Sequence, residues 1–267
     1  MAATAVRAAL ALTLACALAP PAHAALPGAE RVVAAVADTN RTDRRATALE
    51  LGVELVRDGS EVVGAGTLQI HPAGLARLEL RGAGGLVERH LLLGASHAAS
   101  RNGAPLANPS PFLAPLQLLQ ASSGAALESA LGQLGAVRGE IALGRAGESD
   151  CFVLGGREPG PDRAPPRRAA LWVDSTSFEA ARIDRADGVR FELGPADVFG
   201  PVRFPAWIAI QAPAQPQLRL VVRSVVRFAA DAGAFRREWL VEPMAASPPA
   251  APPRAPAAPR AVPDRNH

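Results

Sequence analysis

The sequence predicts an α+β fold that is mainly β: a strongly curved antiparallel sheet, an incomplete β-barrel, covered by helices. Three observations predict it. Strict period-two alternation runs through residues 48–93, with turn residues between the runs. An apolar segment with helical spacing, 112–134, interrupts the strands. Short alternating runs then resume and continue to Phe228. About ten strands of this kind create a concave apolar surface that something must cover, and the helices are the available cover.

The chain opens with Arg7, an apolar stretch over 8–19, Pro20-Pro21 and then Ala22-His23-Ala24. This is the charged, apolar and small-x-small order of a signal peptide, so residues 1–24 are expected to be removed after export to the periplasm. The alternative is acylation at Cys16, where Thr13 stands in the place usually held by Leu. No later stretch reaches about 18 uninterrupted apolar residues, so the mature chain is not expected to span a membrane.

Residues 25–243 are read as one domain. Over 27–43, Val32, Val33 and Val36 share a helical face. From Ala48, Leu49, Leu51, Val53 and Leu55 alternate with Glu50, Gly52 and Glu54, as in a half-buried strand. Asp58-Gly59-Ser60 marks a hairpin turn into a second strand ending near His71. Gly64 and Gly66 inside that strand predict a bulge or a close approach. Pro72-Ala73-Gly74 turns the chain into a third strand carrying Ala76, Leu78 and Leu80, and residues 82–85 lead to a fourth over 86–93.

Phe112, Leu113, Leu116, Leu118 and Leu119 then lie among prolines, and 125–134 has the spacing of a helix, so one or two short apolar helices are expected here. Strands are expected around 140–144, 151–154, 170–174, 178–183, 189–193, 202–210 and 218–228. In the last, Leu218, Leu220, Val222, Val226 and Phe228 are placed on one face and Arg219, Arg223 and Arg227 on the other. The Pro- and Arg-rich stretch 156–168 reads as an exposed loop. Beyond it, 244–267 repeats Pro and Ala without apolar periodicity, a disordered tail that can serve as a tether or as a docking strip for an envelope partner.

Charge and missing residue types exclude several functions. The sequence has no Lys and no Tyr. Setting aside Arg7, Arg254, Arg260, Arg265 and Asp264, residues 25–243 hold 24 Arg and 24 acids, so the high pI of 9.9 carries no basic footprint for nucleic acid. Without Lys there is no Schiff base and no Gly-Lys phosphate loop. Cys151, beside Phe152, reads as a packed residue. His71, His90 and His97 have no metal-binding spacing and read as surface or strand-edge histidines; no cofactor is expected. Asp174, Ser175 and Ser177 suggest a hydrolase only weakly, because no Gly-x-Ser-x-Gly elbow accompanies them.

Three stretches carry a family resemblance: 48–80, LWVDSTSFEAARID at 171–184, and FPAWIAIQ at 204–211. Together they resemble the periplasmic carriers that sort lipoproteins to the outer membrane, the LolA/LolB-like family, of which this chain would be a divergent member. The resemblance implies an incomplete barrel closed by helices, with an apolar cavity for acyl chains. His71 stands where the carriers place an Arg that latches the helical lid. The expected ligand-binding residues are Leu51, Val53, Leu55, Leu68, Ile70, His71, Leu78, Leu80, Leu116 and Leu119. A non-enzymatic carrier or sensor of a lipid or acylated lipoprotein is the function expected. A cavity-free interaction protein of an envelope complex and a periplasmic hydrolase are the alternatives.

Overall fold

The computed structural model describes residues 26–39, 48–119, 121, 123–156, 168–229 and 231–242. The expected signal segment, most of the expected loop at 156–168 and the Pro/Ala tail lie outside them. Helix α1 (Ala29–Thr39) turns Val32, Val33, Val36 and Ala37 inward, the face its spacing predicts. An antiparallel meander follows: β1 (Ala48–Arg57), β2 (Glu61–His71), β3 (Leu75–Gly82), β4 (Val87–Leu93), β5 (Ser96–Arg101) and β6 (Ala104–Pro105). The chain then crosses through α2 (Leu116–Leu119) and α3 (Gly124–Gln133). The side chain of Ser123 caps α3 by accepting the Ala126 N–H.

A second series returns with β7 (Ile141–Ala146), β8 (Ser149–Leu154), β9 (Ala170–Asp174), β10 (Ala180–Asp184) and β11 (Arg190–Leu193). A separate ribbon, β12 (Ala196–Phe199) with β13 (Val202–Pro205), precedes β14 (Trp207–Gln211) and β15 (Leu218–Phe228). The 13-stranded sheet has the order β6-β5-β4-β3-β2-β1-β15-β14-β11-β10-β9-β8-β7. Its edges, β6 and β7, are the strands that lead into and out of the helical crossover.

This sheet is strongly curved. Strands β5 and β10 stand eight places apart in it. Laid flat, spacings of about 4.8 Å would hold them roughly 38 Å apart. Yet His97 of β5 and Arg185, which follows β10, line the same cleft. Only a sheet rolled into an incomplete barrel brings them together. One apolar core fills the concave side, joining α1, α2 and α3 to residues from both halves of the sheet.

The glycines of β2 do mark an irregularity. The β1–β2 register slips between Leu55 and Val56, opposite Gly64 and Val62. At Gly66 the backbone of β3 comes so close that a Cβ would run into the Glu79 carbonyl. Gly66→Ala should therefore cost about 1–3 kcal/mol, the range for forcing atoms into a packed site. Urea denaturation checks this, and an unchanged midpoint would show that the strands can part freely.

Several expectations need correction. Strands β5, β6 and β12 were not anticipated. The run 202–210 is two strands in different sheets, broken after Pro205, which has no N–H to carry a ladder onward. Strand β10 begins at Ala180 rather than at Phe178, whose φ of 59° places it in a turn. In β15 the register shifts opposite Gly52 and Val53, leaving Arg223 as an extra residue. Alternation changes phase there, so Val225 joins the core and Val226 is 53% exposed.

The segment after β15 was also missed. Two short 3₁₀ turns, Ala232–Ala234 and Arg237–Leu240, lie as a strap on the outer face of the sheet. Phe235 and Leu240 form a small core with Leu91. Arg77 Nη1 donates to the Ala234 carbonyl (3.0 Å), and Arg89 Nη1 to those of Trp239 (2.9 Å) and Glu242 (2.7 Å). Ser100 Oγ donates to the Leu240 carbonyl at 2.6 Å. Both guanidinium groups also lie 5.3 Å from the Trp239 ring.

Candidate functional site

The inner wall comes from one face of β1, β2 and β3. Leu51, Val53, Leu68, Ile70, Leu78 and Leu80 all belong to the main core and are buried. Leu55 is partly buried against it. Leu116 and Leu119 also belong to this core, but on the cover: they are α2 residues facing the wall. Thus the structure unites nine of the ten expected residues in one apolar body.

His71 is the exception. Alternation puts Ile70 inward and so turns His71 outward, where its ring meets Phe235 of the strap at 5.7 Å. Its Nδ1 accepts the Ala73 N–H at 3.1 Å, steadying the turn into β3. His71, expected among the ligand-binding residues, therefore faces away from the cover.

How the cover is held matters for function. Among the described backbone and side-chain groups, no hydrogen bond or ion pair joins α2 or α3 to a strand of the sheet. Leu116, Leu119, Leu127 and Leu131 hold these helices down by apolar contact. The outer strap, by contrast, is pinned by hydrogen bonds from Arg77, Arg89 and Ser100. Clefts open on both sides of α3. One, about 420 Å³, lies between α1, α3 and β8 and is lined by Val33, Leu131, Val137 and Leu154. The other, about 340 Å³, lies at the seam between β4–β5 and the β10–β11 turn, lined by Leu92, His97, Ala114, Leu134, Arg185 and Asp187. Gln133 of α3 borders both.

At the seam the histidine expectation fails. His90 is a core residue with no exposed surface, edge-on to Phe112 with ring centroids 5.0 Å apart. Its Nε2 lies 2.7 Å from Glu88 Oε1, and its Nδ1 lies 3.2 Å from His97 Nε2. Arg101 holds the other Glu88 oxygen at 2.9 Å. The hydrogen bond from His90, with that from Arg101, holds the Glu88 carboxyl below its usual range against the opposing effect of burial. Burial pushes the His97 imidazole down to about 4, and its neighbours His90 and Arg185 add to the effect.

The remaining candidates have structural roles. Cys151 is fully buried with Val153, Ala170 and Trp172 on the outer face, and burial raises its thiol pKa. Asp174 caps its turn, accepting the N–H groups of Thr176 and Ser177 and the Ser177 hydroxyl. Arg219 and Arg223 are not simply solvated: one guanidinium lies 4.4 Å from the Trp207 ring centre, and the other pairs with Glu54. Among the described residues, no group of three His, Cys, Asp or Glu side chains is placed to hold a metal ion.

Solved structures with a similar architecture include a LolA superfamily protein from Nitrosomonas europaea, 12% identical over 79% of this chain and 99% of that one, with a TM-score of 0.47. An outer membrane lipoprotein-sorting protein domain from Vibrio parahaemolyticus is also 12% identical, over 80% of this chain and 99% of that one, at a TM-score of 0.40. A DUF1329 family protein from Desulfovibrio piger is 11% identical over 79% and 98%, at 0.37. The likeness is one of architecture. At such identities and scores it decides nothing about a ligand. No protein family and no curated protein matches the sequence.

Proposed function

We propose that the protein is a non-enzymatic periplasmic carrier or sensor that binds a lipid, or the acyl chains of a lipoprotein, on the inner wall of its sheet. The observation that carries this reading is the attachment of α2 and α3, held to an apolar wall by apolar contact and flanked by a cleft on each side. An acyl chain can take the place of such a cover without leaving any polar group unpaired. Each buried methylene returns about 0.8 kcal/mol. Leu51, Val53, Leu55, Leu68, Ile70, Leu78 and Leu80 form the receiving wall, and Leu116 and Leu119 belong to the cover that lifts. Export is supported by the sequence pattern ending at Ala24.

A fluorescent fatty acid should bind the whole chain saturably and raise its melting temperature, as any ligand specific to the folded state does. Leu78→Asp should weaken binding by placing a charge in the chain's path. Leu131→Ala should strengthen it, because the closed cover loses contacts that the bound state does not use. No saturable binding by the parent protein would end the carrier reading. The complete burial of Leu51 and Leu78 would then favour a cavity-free interaction protein of the envelope.

A further inference from the structure

The seam cleft combines features that neither the apolar core nor the outer strap needs. Glu88, as an ionised carboxylate, can only accept hydrogen bonds, so His90 carries its proton on Nε2. In neutral His90, Nδ1 accepts from His97 Nε2; in the imidazolium it donates to that atom. Either way His97 Nδ1 has no hydrogen-bond partner among the described residues, and it carries the lone pair when His90 is neutral and the proton when His90 is charged. Beside it, Arg185 spends one donor on Asp187 at 2.7 Å, in a pair whose side chains are 31% and 48% exposed. So weak a surface pair exchanges partners at little cost. Leu92, Ala114 and Leu134 continue from these groups along the main core.

An unpartnered imidazole nitrogen and a guanidinium at the mouth of a cleft with apolar lining match a head group with carboxyl oxygens. We infer that the seam cleft is a head-group site for a single-chain amphiphile with a carboxyl head, held by Arg185 and His97 while its chain follows Leu92, Ala114 and Leu134 inward. This rests on the carrier reading and names its ligand class. A phosphate dianion fits less well, because a single guanidinium faces it with Asp187 beside and Glu88 behind. A carboxyl group matches the guanidinium fork and brings one charge at most.

The groups facing His97 are His90 and Glu88 on β4, Arg101 through Glu88, and Arg185 and Asp187 from the β10–β11 turn. A carboxylate arriving at Nδ1 is joined to it through one proton, which is taken from solution when His90 is neutral and is already on Nδ1 when His90 is charged. Calorimetry of the full chain with decanoate and with decanol, in two buffers of different ionisation enthalpy, reads both effects. Decanoate should bind at least about tenfold more tightly than decanol, the scale of a charge-assisted hydrogen bond. With His90 neutral it should also bring proton uptake that His97→Gln removes. Arg185→Gln should weaken decanoate about 10- to 100-fold and leave decanol unchanged. Among the described residues, the only hydrogen bond of its side chain is to exposed Asp187, so the fold should survive. If decanol binds as well as decanoate, or Arg185→Gln binds decanoate like the parent, the head-group site is wrong while the carrier reading stands. If neither ligand binds, the carrier reading itself fails.

Discussion

A chain ended at Phe228 should melt about 10–20 °C below the full-length protein, whereas one ended at Glu242 should melt within a few degrees of it. The first deletion removes the strap. Phe235 and Leu240 are each less than a tenth exposed, and their removal also bares Leu91. Burying such a side chain contributes about 1.5–3 kcal/mol. The four hydrogen bonds from Arg77, Arg89 and Ser100 add about 1 kcal/mol each at most, since water replaces part of what is lost. A total near 5 kcal/mol is equivalent to the stated shift in a domain of this size. The second deletion removes only residues whose Pro/Ala composition buries little. Scanning calorimetry of the two truncations decides between them, and equal melting temperatures for Phe228-ended and full-length chains would show that the strap contributes nothing.

Acid should unfold the protein in two stages. The folded-state value of His97, about 4, lies below its ordinary 6.5. The unfolded chain therefore binds this proton first, and the stabilisation present above pH 6.5 is lost as pH falls toward 4. One fully expressed shift of that size is worth on the order of 3 kcal/mol. Glu88 and Glu79 are also held low in the fold, so their contributions are present above 4.5 and are lost below it, as pH passes down through their folded values. Denaturation midpoints measured from pH 7.5 to 3.5 should fall along this course. His97→Gln should flatten the upper stage and keep the lower one. A parent protein equally stable at pH 7 and pH 4.5 would show that His97 titrates normally.

The sheet from β1 to β4 was legible because Leu49 to Leu55 and Ala76 to Leu80 alternate without interruption. Strand β5 was not, because Ser96 to Arg101 contains no large apolar side chain to set a period. Its pairing comes from the neighbouring strand β4. The inner wall was found from the same alternation, which also shows His71 to be on the opposite face. Val226 was misplaced because a bulge is a tertiary event: nothing in the run 218–228 signals that Arg223 is extra. His90 was hidden for a similar reason. Flanked by Arg89 and Leu91, it looks like a strand-edge polar residue until Phe112 is laid across it. The seam cleft depends on curvature joining residues 97 and 185, a distance in sequence that no local pattern spans.

The order of the strands also dictates when this protein can fold. The meander β1–β6 and the later series β7–β14 each consist of neighbours close in sequence, but in the sheet they are joined through β15 alone. That strand pairs with β1 on one side and β14 on the other, and its match with Ala48 spans nearly the whole described sheet. Closing so long a loop is slow and must precede any reward. Until the last strand is available, β1 presents an unpaired edge rich in Leu and Val, the kind of template on which chains aggregate. Folding is thus committed late, and a chain synthesised N-terminus first would need its β1 edge shielded until Leu218 to Phe228 arrives.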